Sequence, residues 1–93
     1  MSIPSSTTSC AIIVTYNPDT TALLELTAQL RKETDFIIVD NGTAGISSIV
    51  ESINVYSQCR EIICLNTNQG LAKALNVGIN WSIRQNYEFV FLF

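Results

Sequence analysis

Histidine is absent from this chain, prolines number two and glycines four, and only 14% of the residues are charged. Each scarcity excludes something. Without an imidazole, and without a nucleophile elbow, serine-hydrolase chemistry has no base and no nucleophile. A zinc site is disfavoured on the same ground, because Cys10, Cys59 and Cys64 are odd in number and show no C-x-x-C spacing. The five basic residues, Arg31, Lys32, Arg60, Lys73 and Arg84, are scattered and the net charge is −3. No basic stripe exists to displace counterions from a phosphate backbone, so no nucleic-acid partner is expected. No G-x-G-x-x-G follows the first apolar run, and no G-x-x-x-x-G-K-[ST] occurs, which disfavours a dinucleotide fold and excludes a P-loop. The first apolar run also lacks the acid cluster of a phospho-receiver domain.

No run is long enough to span a bilayer. Residues Met1–Ser9 have neither a basic start nor a long apolar stretch, and read as a short flexible leader rather than a secretory signal. Unpaired cysteines fit a reduced compartment, so a cytoplasmic location is expected. A chain of 93 residues allows one small domain, here residues 10–93.

What is present is alternation. Four apolar runs, Ala11–Tyr16, Phe36–Val39, Glu61–Leu65 and Tyr87–Phe93, predict strands. Cys10 and Cys64 border or sit in such runs, where a free thiol behaves as a small hydrophobe. Between the runs lie three helical patterns. Thr20–Leu30 follows Asn17-Pro18-Asp19, with Asp19 as N-cap and Leu23, Leu26 and Leu30 on one face. Ile46–Tyr56 aligns Ile46, Ile49, Val50 and Ile53, with Thr43 or Ser47 as cap. Gly70–Arg84 places Leu71, Leu75, Ile79 and Ile83 four residues apart, with Thr67 or Asn68 as cap. Another face of that helix carries Ala72, Asn76 and Gly78.

Apolar strands without period-two alternation are those covered on both faces. The expected architecture is therefore α/β: a three-layer, doubly wound, mostly parallel sheet in the sequence βαβαβαβ. Right-handed crossovers with the fourth strand returning beside the first give the order 3-2-1-4. In such a sheet ligands bind outside the carboxyl ends of the strands. Two strand ends carry polar groups there, Thr15-Tyr16-Asn17-Pro18 and Asp40-Asn41-Gly42. Asp40 and Asn17 also suit plain turns, since Asp before a glycine-containing turn and Asn before Pro both favour a change of chain direction. A third patch, Asn66 to Gly78, offers Asn68, Gly70 and Asn76, with Lys73 as a weaker candidate that reads equally as a solvated charge.

Phe89, Phe91 and Phe93 would share one face of the last strand, with Val90 and Leu92 on the other. Such an uncovered aromatic row suggests the front part of a longer protein, and a strand through which the chain self-associates.

The three motifs in this order, Ala11-Ile12-Ile13-Val14-Thr15-Tyr16-Asn17, Ile37-Ile38-Val39-Asp40-Asn41-Gly42, and Leu65-Asn66-x-Asn68-x-Gly70-x-Ala72-x-Ala74-x-Asn76-x-Gly78-Ile79, resemble the opening of family-2 glycosyltransferases. The Tyr-Asn-Pro and Val-Asp-Asn-Gly wording is similar to the bacterial rhamnosyltransferase-like branch. The resemblance runs from about Cys10 to Phe93. It implies the nucleotide-binding half of a GT-A fold and an inverting transfer from a dTDP- or UDP-sugar to a glycan or lipid-linked acceptor. Thr15, Tyr16 and Asn17 would lie along the nucleotide, and Asp40 with Asn41 would hold base or ribose. Asn68, Gly70 and Asn76 would border the base and diphosphate.

Two departures stand out. Leu75 occupies a position where many relatives carry arginine, and the family's Asp-x-Asp metal motif would follow a strand like Phe89–Phe93. The Mg²⁺ or Mn²⁺ ion of the full enzyme would then have its ligands, and the reaction its general base, outside this chain. The fragment alone is expected to be inactive. The full protein is expected in the cytoplasm, peripheral to the inner face of the membrane. Two alternatives stand beside this reading: a non-enzymatic α/β binding or assembly module whose strand ends are only turns, and a flavin- or phosphate-binding domain, which the missing phosphate loop disfavours.

Overall fold

The computed structural model describes residues 9–93. The expected leader lies outside the described residues except for Ser9, which opens the first strand. Seven elements follow in strict alternation: β1 (Ser9–Thr15), α1 (Thr20–Leu30), β2 (Asp35–Asp40), α2 (Ile46–Ile53), β3 (Cys59–Cys64), α3 (Leu71–Arg84) and β4 (Phe89–Leu92). The sheet has the order β3-β2-β1-β4, as expected, and all three pairings are parallel.

The alternation of side chains across the two central strands builds two cores. Ala11, Ile13, Phe36 and Ile38 face Leu23 and Leu30 of α1 and Ile53 of α2. Cys10, Ile12, Ile37 and Val39 face Ala74 of α3. Every residue of β2 is buried, which is why it shows no polar alternation. The outer strands differ from the expectation of burial on both faces. β3 is half exposed, and β4 exposes Phe89, Phe91 and Leu92, with Phe93 just beyond it. An edge strand has one neighbour, and three helices cannot cover both faces of four strands. Cys64 is exposed for the same reason, whereas Cys10 is buried.

Helix ends follow local chemistry in one case and tertiary packing in two. Asp19 caps α1 as expected, its carboxylate accepting from the Ala22 N–H at 2.9 Å. α2 starts at Gly45, in the left-handed region with no side-chain cap, so neither Thr43 nor Ser47 serves there. It ends at Ile53, before the expected Tyr56, with Asn54 closing the last turn. α3 is preceded by Gly70 with no side-chain cap, so neither Thr67 nor Asn68 caps it; Asn68 accepts instead from the Gly70 N–H within the loop.

The face that α3 buries also differs from the expected leucine–isoleucine row. Its buried residues are Ala74, Gly78 and Ser82, while Leu71 and Ile83 are exposed. Steps of four residues advance by about 400°, so a strict i+4 row spirals around a straight helix instead of holding one face. Small residues win the contact because the helix lies close against the sheet: a Cβ on Gly78 would stand 2.6 Å from Ile12 Cγ2 and 3.3 Å from Val39 Cγ2. Leu75 and Ile79 pack at the flank of this stripe.

One irregularity interrupts the sheet. Phe36 pairs with Cys59 but Ile37 pairs with Glu61, so Arg60 is an extra residue on β3, a β-bulge near the strand's amino end.

Gly78→Ala is expected to destabilise the protein by about 1–3 kcal/mol through overpacking against the stiff, β-branched Ile12. The sign holds although alanine favours an isolated helix by about 1 kcal/mol. A thermal melt followed by circular dichroism checks it; a raised midpoint would show that α3 is less tightly seated.

Candidate functional site

At the carboxyl edge of the sheet, three loops meet around three buried polar side chains, Thr15, Asp40 and Asn41. Thr15 and Asp40 are register partners at the ends of β1 and β2. The Asp40 carboxylate, only 1% exposed, accepts four hydrogen bonds. Its Oδ1 takes the Thr15 and Thr43 hydroxyls, each at 2.7 Å. Its Oδ2 takes the Thr43 N–H at 2.7 Å and the Gly42 N–H at 3.1 Å. Burial by itself pushes this carboxyl's pKa upward and is the largest single influence. The hydroxyls of Thr15 and Thr43 and the N–H groups of Thr43 and Gly42 together outweigh it, and the net shift is downward. Asp40 is therefore an ionised carboxylate held by its own loop and by the tip of β1.

Asn41 extends the knot to the third loop. It is buried; its Oδ1 accepts from the Gln69 N–H at 2.9 Å, and its Nδ2 donates to the Gly70 carbonyl at 3.2 Å. Thr43 Oγ1 also accepts from the Asn17 N–H at 2.8 Å, fixing the β1–α1 loop, where Asn17 has φ 47°. Gly42 is required twice over. Its φ is +100°, and a Cβ there would meet the Thr67 backbone at 2.9 Å.

The candidate residues thus fall into two groups. Thr15, Asp40 and Asn41 are buried and bonded to one another's loops. Tyr16, 52% exposed, with Asn17 and Asn68, also exposed, faces solvent on the same rim. Gly70, with φ 89°, has open space where a Cβ would stand. Lys73 is exposed in the first turn of α3, a turn that holds no acid. Asn76 is exposed in the helix's second turn, outside the buried Ala74–Gly78–Ser82 stripe. Its amide has no hydrogen-bond partner among the described residues.

Sequence reasoning assigned Thr43 only a capping role, yet it bonds Asp40 twice and Asn17 once. Its place three residues after Asp40 was the available signal, since an aspartate commonly accepts from the N–H groups two and three residues on. A cavity of about 310 Å³ adjoins the β1 tip, lined by Tyr16, Pro18 and Phe93 among others. Larger cavities lie elsewhere, one at the amino edge of the sheet and one along β4.

The divalent cation implied by the resemblance has no fitting ligand set here. Among the described residues no group of three or more His, Cys, Asp or Glu side chains could hold a metal ion, and Asp40 has its roughly four lone-pair sites taken by donors. Nor is any helix of the described chain long and apolar enough to cross a membrane.

Asp40→Asn is expected to cost about 1–3 kcal/mol at neutral pH, because an amide offers one acceptor oxygen to four donors. Because the folded-state pKa lies below the unfolded value of about 3.9, the wild-type contribution is complete above that pH. It is lost as the pH falls through the folded-state value. Urea titrations between neutral and acid pH should show a shallower acid loss in Asp40→Asn; parallel curves would deny the carboxylate this role.

Residues 10–92 match Glycosyl transferase family 2. The chain is also 30% identical over 83 residues to "dTDP-rhamnosyl transferase RfbF" of Shigella flexneri, covering 89% of this chain and 27% of that protein. It spans about a quarter of the length of this curated relative. There is no significant match among solved structures. With the strand order, the polar carboxyl edge and a match over nearly its whole length, the chain belongs to glycosyl transferase family 2.

Proposed function

We propose that this chain forms the donor-nucleotide-binding part of an inverting glycosyltransferase that uses a dTDP- or UDP-sugar. The observation that carries the reading is the joining of three loops at the carboxyl edge through Asp40, Asn41 and Thr43. This knot holds the rim rigid while leaving Tyr16, Asn17 and Asn68 open to a ligand. Preorganisation of this kind lowers the entropy lost on binding.

Each exposed group has a part in the proposal. The Tyr16 ring offers a stacking surface for the base, and the amides of Asn17 and Asn68 offer donors and acceptors for base or ribose. The N-terminus of α3 lacks a side-chain cap and carries Lys73 but no acid in its first turn. Its free N–H groups and positive dipole end suit a diphosphate, and the open side of Gly70 gives the backbone room to approach it. Asn76 would extend this border along the helix. Asp40 and Asn41 act here through the loops they hold.

Transfer of rhamnose or a related sugar to a polysaccharide or glycolipid acceptor is proposed from the name of the Shigella relative. The metal ion, the general base and hence the bond-breaking step are assigned to segments outside these residues. The assembly-module alternative rests on the exposed Phe89, Phe91, Leu92 and Phe93. It accounts for that face, yet leaves the knotted rim without a purpose.

Titration of ¹⁵N-labelled protein with dTDP and with UDP, in the presence and absence of Mg²⁺, is expected to shift the amides of Thr15 to Asn17 and Asn68 to Lys73. Tyr16→Ala should weaken binding about tenfold, the scale of one base–aromatic stack. Shifts confined to other parts of the chain would remove this assignment.

A further inference from the structure

The amino edge of the sheet, opposite the rim just described, holds a cavity of about 440 Å³ lined by Asp35, Arg60, Glu61, Trp81, Gln85 and Tyr87. We propose that this cavity is a second binding site, for one uncharged sugar ring.

The β-bulge makes the cavity. In a regular strand successive side chains point to opposite faces, so consecutive residues do not line one pocket. Cys59 packs into the α1–α2 core, as does Ile62, whereas Ile63 packs on the α3 side. The extra residue in this register lets both Arg60 and Glu61 line the same hollow beside the end of α3. Bulges are rare in parallel sheets and re-aim side chains where they occur.

The other wall is aromatic and fixed. Trp81 and Tyr87 stack with ring centroids 6.1 Å apart and planes at 27°. The Tyr87 hydroxyl donates to Asp35 Oδ2 at 2.7 Å, and Asp35 is buried. Burial, then the bond to Asp35, pushes the Tyr87 pKa well above its ordinary value, so this donor stays protonated. Arg60 is close enough to influence Tyr87 and Cys10 electrostatically, yet its guanidinium makes no ion pair among the described residues. Glu61 Oε1 accepts from the Ile62 N–H at 3.2 Å, and its second oxygen has no partner among the described residues.

The lining selects the ligand class. Two carboxylates disfavour an anion, and Arg60 disfavours a cation. The polar walls give a purely apolar molecule little to bury against. A pyranose suits all of them. Its hydroxyls can donate to Asp35 and Glu61 and accept from Arg60 and Gln85, and its C–H face can lie on an aromatic ring. Planar side chains with paired donors or acceptors match vicinal hydroxyls in the way they match other two-point partners. The inference stands on this cavity alone and is independent of the donor site.

Trp81 is the chain's one tryptophan, so its fluorescence reports on this cavity. Titration with methyl α-L-rhamnopyranoside or methyl β-D-glucopyranoside is expected to give a saturable change, with Kd on the order of 1–10 mM. Arg60→Gln and Gln85→Ala, both at exposed positions, should each weaken it at least fivefold while leaving the circular dichroism spectrum and melt unchanged. Saturating dTDP should leave it in place. Three results would each overturn the proposal: no saturable change with either glycoside, a change that survives in both variants, or a response to inorganic phosphate or tetramethylammonium in place of the glycosides.

Discussion

The carboxyl edge of this protein depends on one buried charge. An ionised carboxylate removed from water is costly unless its lone pairs are met by donors, and Asp40 meets that condition with two hydroxyls and two backbone N–H groups. The satisfaction is structural as well as energetic. Its donors belong to the β1 tip and to the β2–α2 loop, so meeting the charge fixes one loop against the other. Asn41 then ties in the loop before α3. Remove the charge and the N–H groups of Gly42 and Thr43 lose the acceptor that turns the chain.

Beneath that rim, the layering follows from how closely α3 approaches the sheet. Ala74, Gly78 and Ser82 form a narrow face, and Ile12 and Val39 fill the space that larger helix residues would need. On the other face α1 and α2 sit over Ala11, Ile13, Phe36 and Ile38. Both central strands are sealed as a result, and the two edges are left with half-covered strands. The exposed row on β4 and the bulge on β3 are consequences of being an edge, where pairing is one-sided and irregularity is cheap.

The chain belongs to glycosyl transferase family 2, and the reading proposed for it uses the two ends of the sheet differently. The two ends of the sheet then suggest a division of labour. The carboxyl end is tied together by hydrogen bonds among its loops, is rimmed by amides and a tyrosine, and adjoins a helix start with no side-chain cap. The amino end combines aromatic rings with mixed charge, a lining suited to hydroxyls. A fold whose strands all run one way separates two such environments by the length of a strand.

Much of the molecule was legible in the amino-acid order. Four apolar runs separated by helical periodicity dictate a parallel α/β sheet, and Asp19 before Thr20 marks the start of α1 because a short acceptor side chain there meets a free N–H locally. Asp40 and Asn17 could be placed at strand ends for the same local reason. Their roles could not be read, because a carboxylate's function is set by which donors reach it, and Thr15 lies 25 residues away. The face buried by α3 does not follow its leucine row, since hydrophobicity ranks Leu71 above Gly78 while close packing reverses that order. The bulge at Arg60 left no mark in the sequence, for it exists only relative to the register of β2. Local periodicity, capping and turn chemistry belonged to the sequence. Register, depth of packing and the assignment of each polar group to a partner were decided by the tertiary structure, because each is a relation between residues far apart along the chain.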